Sequence, residues 1–543
     1  MEIPEAAETG SQAQQSMELG AQTARVASSV LLGKLVIFLL TGLSFVIVAR
    51  ILGPSTYGIY TLAVAIIGIF GSVGDLGIGV SFNKFLPEYM QRNDRGKARE
   101  LLKNGFAVLL AFGGALTAAM FLLAGPFSAY VYHTISNVGL IEAAAFLILL
   151  SIVYGDAYSA LIGLRKGKGI AVTAGIESAI QAGASVLFAL LGYGAFSPIF
   201  GLIAGYSSGI IIAMLYIRKG VAGGSAGRIS LHRIKELFGF SLPIGVSNLL
   251  GTLFSNASLV VLGLFATSVV IGNFGVASKT GSLIDLITGS ISVSLITMFS
   301  AALTLKRGKE EIAKFYNYSL YLAFLLVTPL LFYIGVLAKP LSYVAFSGVY
   351  KLSPTYIAIM AFGIFLGLVG TYSYNLMVSA NKVRSVLKYT IVTTAVELAL
   401  LPILVPEFKG VGLTLLLFMV APLVGDVLYI NGIRRIFNIR IKSAKIIRVI
   451  AANAVSAAFI AVVALLIGEM MIPTLAISAL IFIAVYPPML VIVRAMEERD
   501  IEIVKRSTSG VPVIGNVIGY LLDYSRLFLR TRAAHSRGSG SEE

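Results

Sequence analysis

The sequence predicts an all-α polytopic membrane protein with about fourteen transmembrane helices, on three observations. Hydrophobic residues make up 57% of the chain and charged residues 13%, whereas soluble domains carry about 25% charged residues. The mean hydropathy is +0.89. Apolar runs of roughly 20 residues, long enough to cross the hydrocarbon core of a bilayer, recur along the chain. Because these runs are continuous and lipid admits only helices or closed barrels, we expect helices.

The residue types that are missing or rare exclude several function classes. The absence of cysteine excludes disulfides, thiolate chemistry and cysteine-ligated metals. The three histidines lack metal-ligand spacing, and no G-x-x-x-x-G-K-[ST] loop is present. A net charge of +16 would suggest nucleic acid in a soluble protein, but in a membrane protein it indicates basic loops that face anionic lipid. We therefore expect no metal, no nucleic-acid partner, no resident cofactor and no enzymatic activity.

The first turn of the chain organises the rest. Residues 1–25 are polar and no positively charged region precedes the first apolar run, so we expect a disordered cytoplasmic tail and no signal peptide. The apolar run 26–49 ends at a segment containing Gly53-Pro54, which cannot easily continue a helix. The chain should therefore turn back there into a second apolar run.

Fourteen apolar runs can be counted by the same criterion of length. They cover approximately residues 26–49, 57–82, 105–130, 138–164, 170–192, 195–217, 237–266, 269–304, 315–338, 353–380, 386–404, 409–430, 446–467 and 473–493.

Basic residues mark alternate connections between these spans. Connections after even-numbered spans are rich in Lys and Arg, as in 92–103 and 434–445, whereas those after odd-numbered spans hold few. The positive-inside rule then places the even-numbered connections and both termini in the cytoplasm, in a multi-pass protein of the cytoplasmic membrane. The apolar stretch 510–529 contains Asp523 and Arg526, so it is interpreted as an amphipathic helix on the cytoplasmic leaflet, with a fifteenth span as the alternative.

The segment of the first turn recurs six spans later. Leu52–Tyr60 resembles Phe265–Phe274 once one residue is gapped, which aligns Gly58 with Gly272. A separation of six spans indicates parallel repeats, which place a substrate path at the interface between the two halves. The predicted organisation is a tail at 1–25, a six-helix bundle at 26–217, a basic cytoplasmic linker at 218–236, a second six-helix bundle at 237–430, two further helices within 446–493 and a cytoplasmic amphipathic and basic tail at 494–543.

Several motifs resemble one family of transporters. Arg50-x-Leu-Gly-Pro-x-x-Tyr-Gly-x-Tyr60, Gly74-Asp-Leu-Gly77, Asn83-Lys-Phe85 and Phe240-Ser-Leu-Pro243 are similar to segments of the polysaccharide-exporter flippases, within the multidrug/oligosaccharidyl-lipid/polysaccharide exporter superfamily. The resemblance implies two six-helix bundles that face each other, with two extra C-terminal helices. It also implies transport of a polyprenyl-(pyro)phosphate-linked oligosaccharide by alternating access.

Ionisable residues within spans are candidates for the site, because burying a charge at mid-bilayer costs about 2.5–3.5 kcal/mol on insertion scales. In the first two spans these are Lys34, Asp75 and Lys84. Lys34 and Asp75 lie at similar depth by helical rise, so they form either a structural ion pair or part of a cavity that meets phosphate. Asn83 accompanies Lys84 as a candidate for substrate binding.

Corresponding spans of the second half hold a second polar set. It comprises Asn248, Asn256, Lys279 and Asp285, although asparagine in a span often only joins helices. Lysines and asparagines of both sets would bind the anionic head group, while Asp75 or Asp285 would bind a coupling H⁺ or Na⁺. The secondary candidates are Arg50, Asp156 and Asp426, and Glu177 and Glu397 rank below the main sets.

Three other interpretations stay open. An ion-coupled multidrug or small-molecule antiporter of the same superfamily would favour a cavity rich in carboxylates. A polytopic glycosyltransferase or polymerase would need a sizeable outer loop with acidic or basic residues, and no predicted outer connection exceeds about fifteen residues. A scaffold subunit of an envelope assembly complex would not transport at all. The expected partners are a lipid-linked glycan, the bilayer and glycosyltransferases or polymerases of the same pathway.

Overall fold

The computed structural model describes residues 5–74, 77–223, 252–281, 309–468, 470–498 and 500–502, with the shorter pieces 249, 299, 303, 505, 519–520, 522–526 and 528. Side chains are described within these ranges except at 5–36, 309 and 383. Every long regular element in this part of the chain is a helix.

The first half of the molecule consists of helices α1 to α6. Their bounds are Glu5–Gly74 (α1), Ile78–Gln91 (α2), Arg95–Val131 (α3), Val138–Gly163 (α4), Gly167–Leu190 (α5) and Phe196–Gly220 (α6).

The second half consists of α7 to α14, and two further helices follow it. The bounds are Thr252–Phe265 (α7), 268–281 (α8), Lys309–Val336 (α9), Ala338–Phe346 (α10), Ser353–Leu366 (α11), Leu368–Ser379 (α12), Val383–Leu415 (α13), a π-helix at Leu416–Val420, Ala421–Phe437 (α14), Ser443–Ile467 (α15) and Met471–Ile492 (α16).

Two of these helices contain a sharp turn. Gly53 interrupts α1 with φ 69° and ψ 172°, as the Gly53-Pro54 pair predicts, and Lys409 interrupts α13 with φ 50° and ψ −125°. In the described ranges nine helices are long and apolar enough to cross a membrane, or ten if α11 and α12, bent by 47°, form one span. The predicted all-α polytopic class is confirmed, whereas the number fourteen stays a prediction.

The backbone differs from the prediction at two places near the N-terminus. Residues 5–25 are helical where composition predicts a disordered tail, because the Ala, Glu and Gln that dominate this stretch are also good helix formers. The predicted span 57–82 is divided, since α1 ends at Gly74 and α2 begins at Ile78. Gly77 precedes α2 with φ 71°, a left-handed conformation that glycine adopts without strain.

One hydrogen bond near the helix ends identifies each of the two ends of the molecule. At the Gly53 end, the Tyr132 hydroxyl donates a hydrogen bond of 2.9 Å to the carbonyl of Ile59. At the opposite end, which we call the Arg95 end, the Arg95 guanidinium donates to the carbonyl of Ala222 at 3.0 Å. The basic connections 92–97 and 165–168 lie at this second end, as the alternation of charge predicts.

The largest apolar core connects the two halves. It contains Leu62 and Ile66 of α1 together with Leu262 of α7 and Phe274 of α8, all buried. A second core joins α9, α12 and α14 to α15 and α16. The second segment of α1 is therefore the element through which the first half packs on the second.

Candidate functional site

The two halves meet at the Gly53 end through a pair of glycines. A Cβ on Gly58 would lie 1.8 Å from the carbonyl oxygen of Ser268, and a Cβ on Gly272 would lie 1.9 Å from the carbonyl oxygen of Pro54. Ser268 precedes Gly272 by four residues, as Pro54 precedes Gly58. The contact is therefore reciprocal, and it joins the two positions that the repeat aligns. Only residues without a Cβ allow backbones to approach this closely.

Polar contacts surround this glycine pair. The hydroxyls of Ser55 and Ser268 are 3.0 Å apart. The Tyr350 hydroxyl donates to the carbonyl of Ala49 at 2.7 Å. Together with the glycines, these groups close the interface between the halves at the Gly53 end.

Arg50, a secondary candidate from the sequence, belongs to the same interface. Its Nε donates to the carbonyl of Ala345 at 2.6 Å, and its Nη2 donates to the carbonyl of Val344. Both acceptors are in α10 of the second half. The guanidinium thus ties α1 to α10 rather than facing the inner part of the interface.

The interface continues from the glycine pair towards the middle of the helices. A Cβ on Gly275 would lie 2.5 Å from the Thr61 hydroxyl, and a Cβ on Gly68 would lie 2.6 Å from the side-chain oxygen of Asn256. The Asn256 amide donates to the carbonyl of Thr252 at 2.9 Å within its own helix. Asn256, a predicted binding residue, therefore packs directly on α1 of the other half.

Lys279 lies just beyond the closed part of this interface. It is seven residues past Gly272, about 10 Å along a helix that rises about 1.5 Å per residue. Residues 271–277 are buried, whereas the Lys279 side chain is exposed. Lys279, a predicted binding residue, therefore lies next to the tightly packed part of the interface, and its binding role stays a prediction.

Lys84 and Asn83 are exposed on α2 of the first half. The Lys84 ammonium lies 4.9 Å from the ring centroid of Phe85, a distance suited to a cation–π interaction.

The backbone of Lys34 is part of α1, but its side chain lies outside the described residues, as do Asp75, Asn248 and Asp285. The predicted pairing of Lys34 with Asp75, and the matched depth of Asn256 and Asp285, stay predictions.

Asp156 packs against the start of α2, next to the break in the predicted span 57–82. Its side chain is 5% exposed, and a Cβ on Gly79 would lie 2.5 Å from its Oδ1. Gly79 is in the first turn of α2, two residues after the left-handed Gly77. Asp156 thus contacts the start of α2, which indicates a role in helix packing.

A cavity of about 520 Å³ lies within the second half, and all of its lining residues belong to that half. Two carboxylates line it, Glu397 of α13 and Asp426 of α14, and the described lining includes no Lys, Arg or His. Hydroxyl groups surround the carboxylates. They belong to Ser255, Thr371, Tyr372, Tyr374, Thr390, Thr393, Thr394 and Tyr429.

Local backbone features shape this cavity. The π-helix at Leu416–Val420 carries the lining residues Leu417 and Phe418, and such bulges are frequent at functional sites. A Cβ on Gly363 would lie 1.9 Å from the Phe418 carbonyl oxygen, so α11 and the π-helix touch through their backbones. Asp426 is a secondary candidate from the sequence and Glu397 ranks lower, and both are identified there only as ionisable residues within predicted spans.

Comparison with known proteins gives one family match and one curated relative. Residues 24–303 match the family model described as polysaccharide biosynthesis protein. The succinoglycan biosynthesis transport protein ExoT of Rhizobium meliloti (strain 1021) is 24% identical over 314 residues. These residues are 56% of this chain and 59% of ExoT, so the match spans less than two thirds of that relative.

Two solved structures share the fold. The lipid II flippase MurJ, in an inward closed conformation, aligns with a TM-score of 0.67 at 15% identity, covering 85% of this chain and 98% of MurJ. A multidrug resistance MATE family transporter of the MOP superfamily, in an inward-facing conformation, aligns with a TM-score of 0.58 at 16% identity, covering 72% of this chain and 92% of the other. At this identity the likeness shows the fold alone.

Proposed function

We propose, from the premise that this chain belongs to the polysaccharide biosynthesis protein family, that it is a flippase for lipid-linked oligosaccharide. The substrate would be an oligosaccharide on a polyprenyl phosphate or pyrophosphate, moved across the cytoplasmic membrane by alternating access for surface polysaccharide or glycan assembly. The names of ExoT, a biosynthesis transport protein, and of MurJ, a lipid II flippase, support this substrate class. The chain acts as a transporter and not as an enzyme in this proposal.

The observation that carries the proposal is the asymmetry of the interface between the halves. At the Gly53 end the halves touch through the backbones of Gly58 and Gly272, and about 10 Å further in Lys279 is exposed. An anionic head group needs a hydrated, cationic surface between the halves. Lys279 and Lys84 would bind its phosphate, with Lys34 as a third cation and Asn83, Asn248 and Asn256 as hydrogen-bonding groups.

In this proposal, the distribution of basic residues determines which end of the molecule faces the cytoplasm. The basic connections lie at the Arg95 end, which the positive-inside rule assigns to the cytoplasm, together with both termini. The Gly53 end then faces outwards, so the described state is closed to the outside. Glycosyltransferases or polymerases of the same pathway would act before and after the transfer.

The cavity of the second half suits a coupling cation in this scheme. Its two carboxylates and the absence of a basic residue from its described lining would repel a phosphate and favour Na⁺ or H⁺. The coupling ion would bind at Asp426 and Glu397, alongside the predicted candidates Asp75 and Asp285. The same acidic cavity is the observation that favours the second candidate function, an ion-coupled small-molecule antiporter.

A transport assay separates these two functions. The purified chain is reconstituted in liposomes that carry a fluorescent lipid-linked oligosaccharide, and a reagent outside the vesicles detects the head groups that cross. We expect transfer well above that of protein-free liposomes. Absence of transfer, combined with ion-driven uptake of cationic drugs by the same preparation, would replace the flippase by the antiporter.

A further inference from the structure

We propose that the reciprocal contact of Gly58 with Gly272 is the outer gate of the transport route. The inference rests on the flippase function proposed above and goes beyond it by naming the residues that must separate. In the described state, Gly58 lies against the carbonyl of Ser268, four residues before Gly272. Gly272 lies in turn against the carbonyl of Pro54, four residues before Gly58. The two positions are equivalent in the repeat, so the gate lies on the axis that relates the halves.

The nature of the contact determines how the gate can open. A gate made of large side chains opens when those side chains change rotamer, but here backbone touches backbone. No rotamer change can therefore create a passage, and the second segment of α1 must separate from α8 as a unit. Because the contact is reciprocal, one movement breaks both glycine contacts at once.

The surrounding polar contacts hold this gate closed. Arg50 donates to the carbonyl of Ala345, Tyr350 donates to the carbonyl of Ala49, and Ser55 contacts Ser268. Each of these contacts joins the first half to the second, so all of them must break when the halves separate. The Arg50 and Ser55 contacts are exposed, whereas the contact between Tyr350 and Ala49 is buried.

The gate also has a defined relation to the substrate site. Gly275 touches Thr61 one helical turn beyond the glycine pair, and Lys279 follows one turn later with an exposed side chain. A head group held by Lys279 would therefore meet the Gly275 and Gly272 contacts in that order on its way out. Separation at the glycine pair is thus required for release.

A disulfide across the gate tests this inference directly, because the natural chain has no cysteine. Ser55→Cys combined with Ser268→Cys places two thiols where the hydroxyls are now 3.0 Å apart. Ser342→Cys with Ser353→Cys is the matched control, since these hydroxyls are 2.5 Å apart and both belong to the second half. We expect oxidation to stop transfer in the first variant only, and reduction to restore it.

A second measurement needs neither substrate nor disulfide. In a Thr61→Cys background, Gly58→Ala would prevent close approach and raise the rate of labelling by a membrane-impermeant maleimide by about tenfold, through a shift towards the open state. Gly71→Ala is the control, because a Cβ there meets nothing within 4 Å. Undiminished transfer by the oxidised Ser55→Cys/Ser268→Cys variant would show that the glycine contact is not the outer gate. Equal labelling rates in both alanine variants would show the same.

The two measurements distinguish failure of the gate from failure of the function. If the parent protein moves no lipid-linked oligosaccharide, the flippase proposal fails. Faster labelling of the Gly58→Ala variant would still support a gate at this contact. If the parent transfers the substrate and the oxidised variant does so equally well, the function stands and the gate is wrong.

Discussion

Asp426 accepts a hydrogen bond of 2.7 Å from the backbone N–H of Gly370, which ties α14 to the first turn of α12. A Cβ on Gly370 would lie 2.2 Å from the same carboxylate oxygen. Glycine is therefore required at this position because the carboxylate occupies the space of a side chain. The contact fixes one of the two carboxylates of the second-half cavity.

Gly370→Ala should destabilise the protein because the new methyl group displaces the Asp426 carboxylate from its donor. Overpacking together with loss of a buried hydrogen bond costs about 1–3 kcal/mol. Thermal unfolding in detergent measures the effect. The control is Gly425→Ala, next to Asp426, where a Cβ meets nothing within 4 Å. Equal melting temperatures for the two variants would contradict the packing argument.

Asp426→Asn and Glu397→Gln should each abolish stimulation of transport by an ion gradient. Both changes keep the size of the side chain but remove a negative charge that would attract Na⁺ or H⁺. Coupling energies of about 1–3 kcal/mol correspond to stimulation of the parent by about 5- to 150-fold. The assay compares transfer with and without Na⁺ and pH gradients.

The control for the carboxylate variants is Glu407→Gln, an exposed position near the kink of α13. It should respond to the gradient as the parent does. If Asp426→Asn and Glu397→Gln also retain full stimulation, the coupling ion binds elsewhere, and Asp75 and Asp285 become the first positions to replace.

Lys279→Gln should weaken binding of the lipid-linked substrate. A hydrogen bond between a charged donor and a charged acceptor contributes about 1.5–3 kcal/mol, which corresponds to a loss of affinity of about 10- to 100-fold. Lys168→Gln, at an exposed lysine in the first turn of α5, is the control. Equal substrate affinity for both variants, measured in nanodiscs, would remove Lys279 from the binding surface.

Sequence reasoning predicts those features that depend on neighbours along the chain. The turn at Gly53 follows from Gly53-Pro54, whereas the role of Lys279 in binding stays a prediction. The alignment of Gly58 with Gly272 also came from the chain alone, because a parallel repeat brings equivalent positions to one axis. The structure adds that these two glycines touch.

Features that depend on how helices rotate and pack could not be predicted in this way. The carbonyl partners of Arg50 are almost 300 residues away in the chain. Glu397 and Asp426 line one cavity although both the break at Lys409 and the π-helix lie between them, and the π-helix was not predicted from the sequence. The break before α2 is also missed, because the apolar run is counted through Gly74-Asp-Leu-Gly77 as one span of sufficient length.

The C-terminal segment is fixed to the membrane helices by a buried carboxylate. Asp500 is 2% exposed and accepts hydrogen bonds from the hydroxyls of Tyr318 and Tyr321, both at 3.2 Å. The Lys445 ammonium lies 3.5 Å from the same carboxylate. Asp500 thus connects the segment after α16 to α9 and α15.

Asp500→Ala should release this segment, because Lys445 and the hydroxyls of half-buried Tyr318 and buried Tyr321 lose their shared acceptor. The cost should be about 1–3 kcal/mol, since unsatisfied buried groups carry most of the penalty. Hydrogen exchange of residues 495–502 should rise, and the melting temperature should fall. Asp523→Ala is the control, because Asp523 pairs with Lys505 at an exposed site, where such pairs contribute little. If the two variants show equal exchange, the Asp500 contacts do not anchor the segment, and the apolar packing of α15 and α16 alone would have to hold it in place.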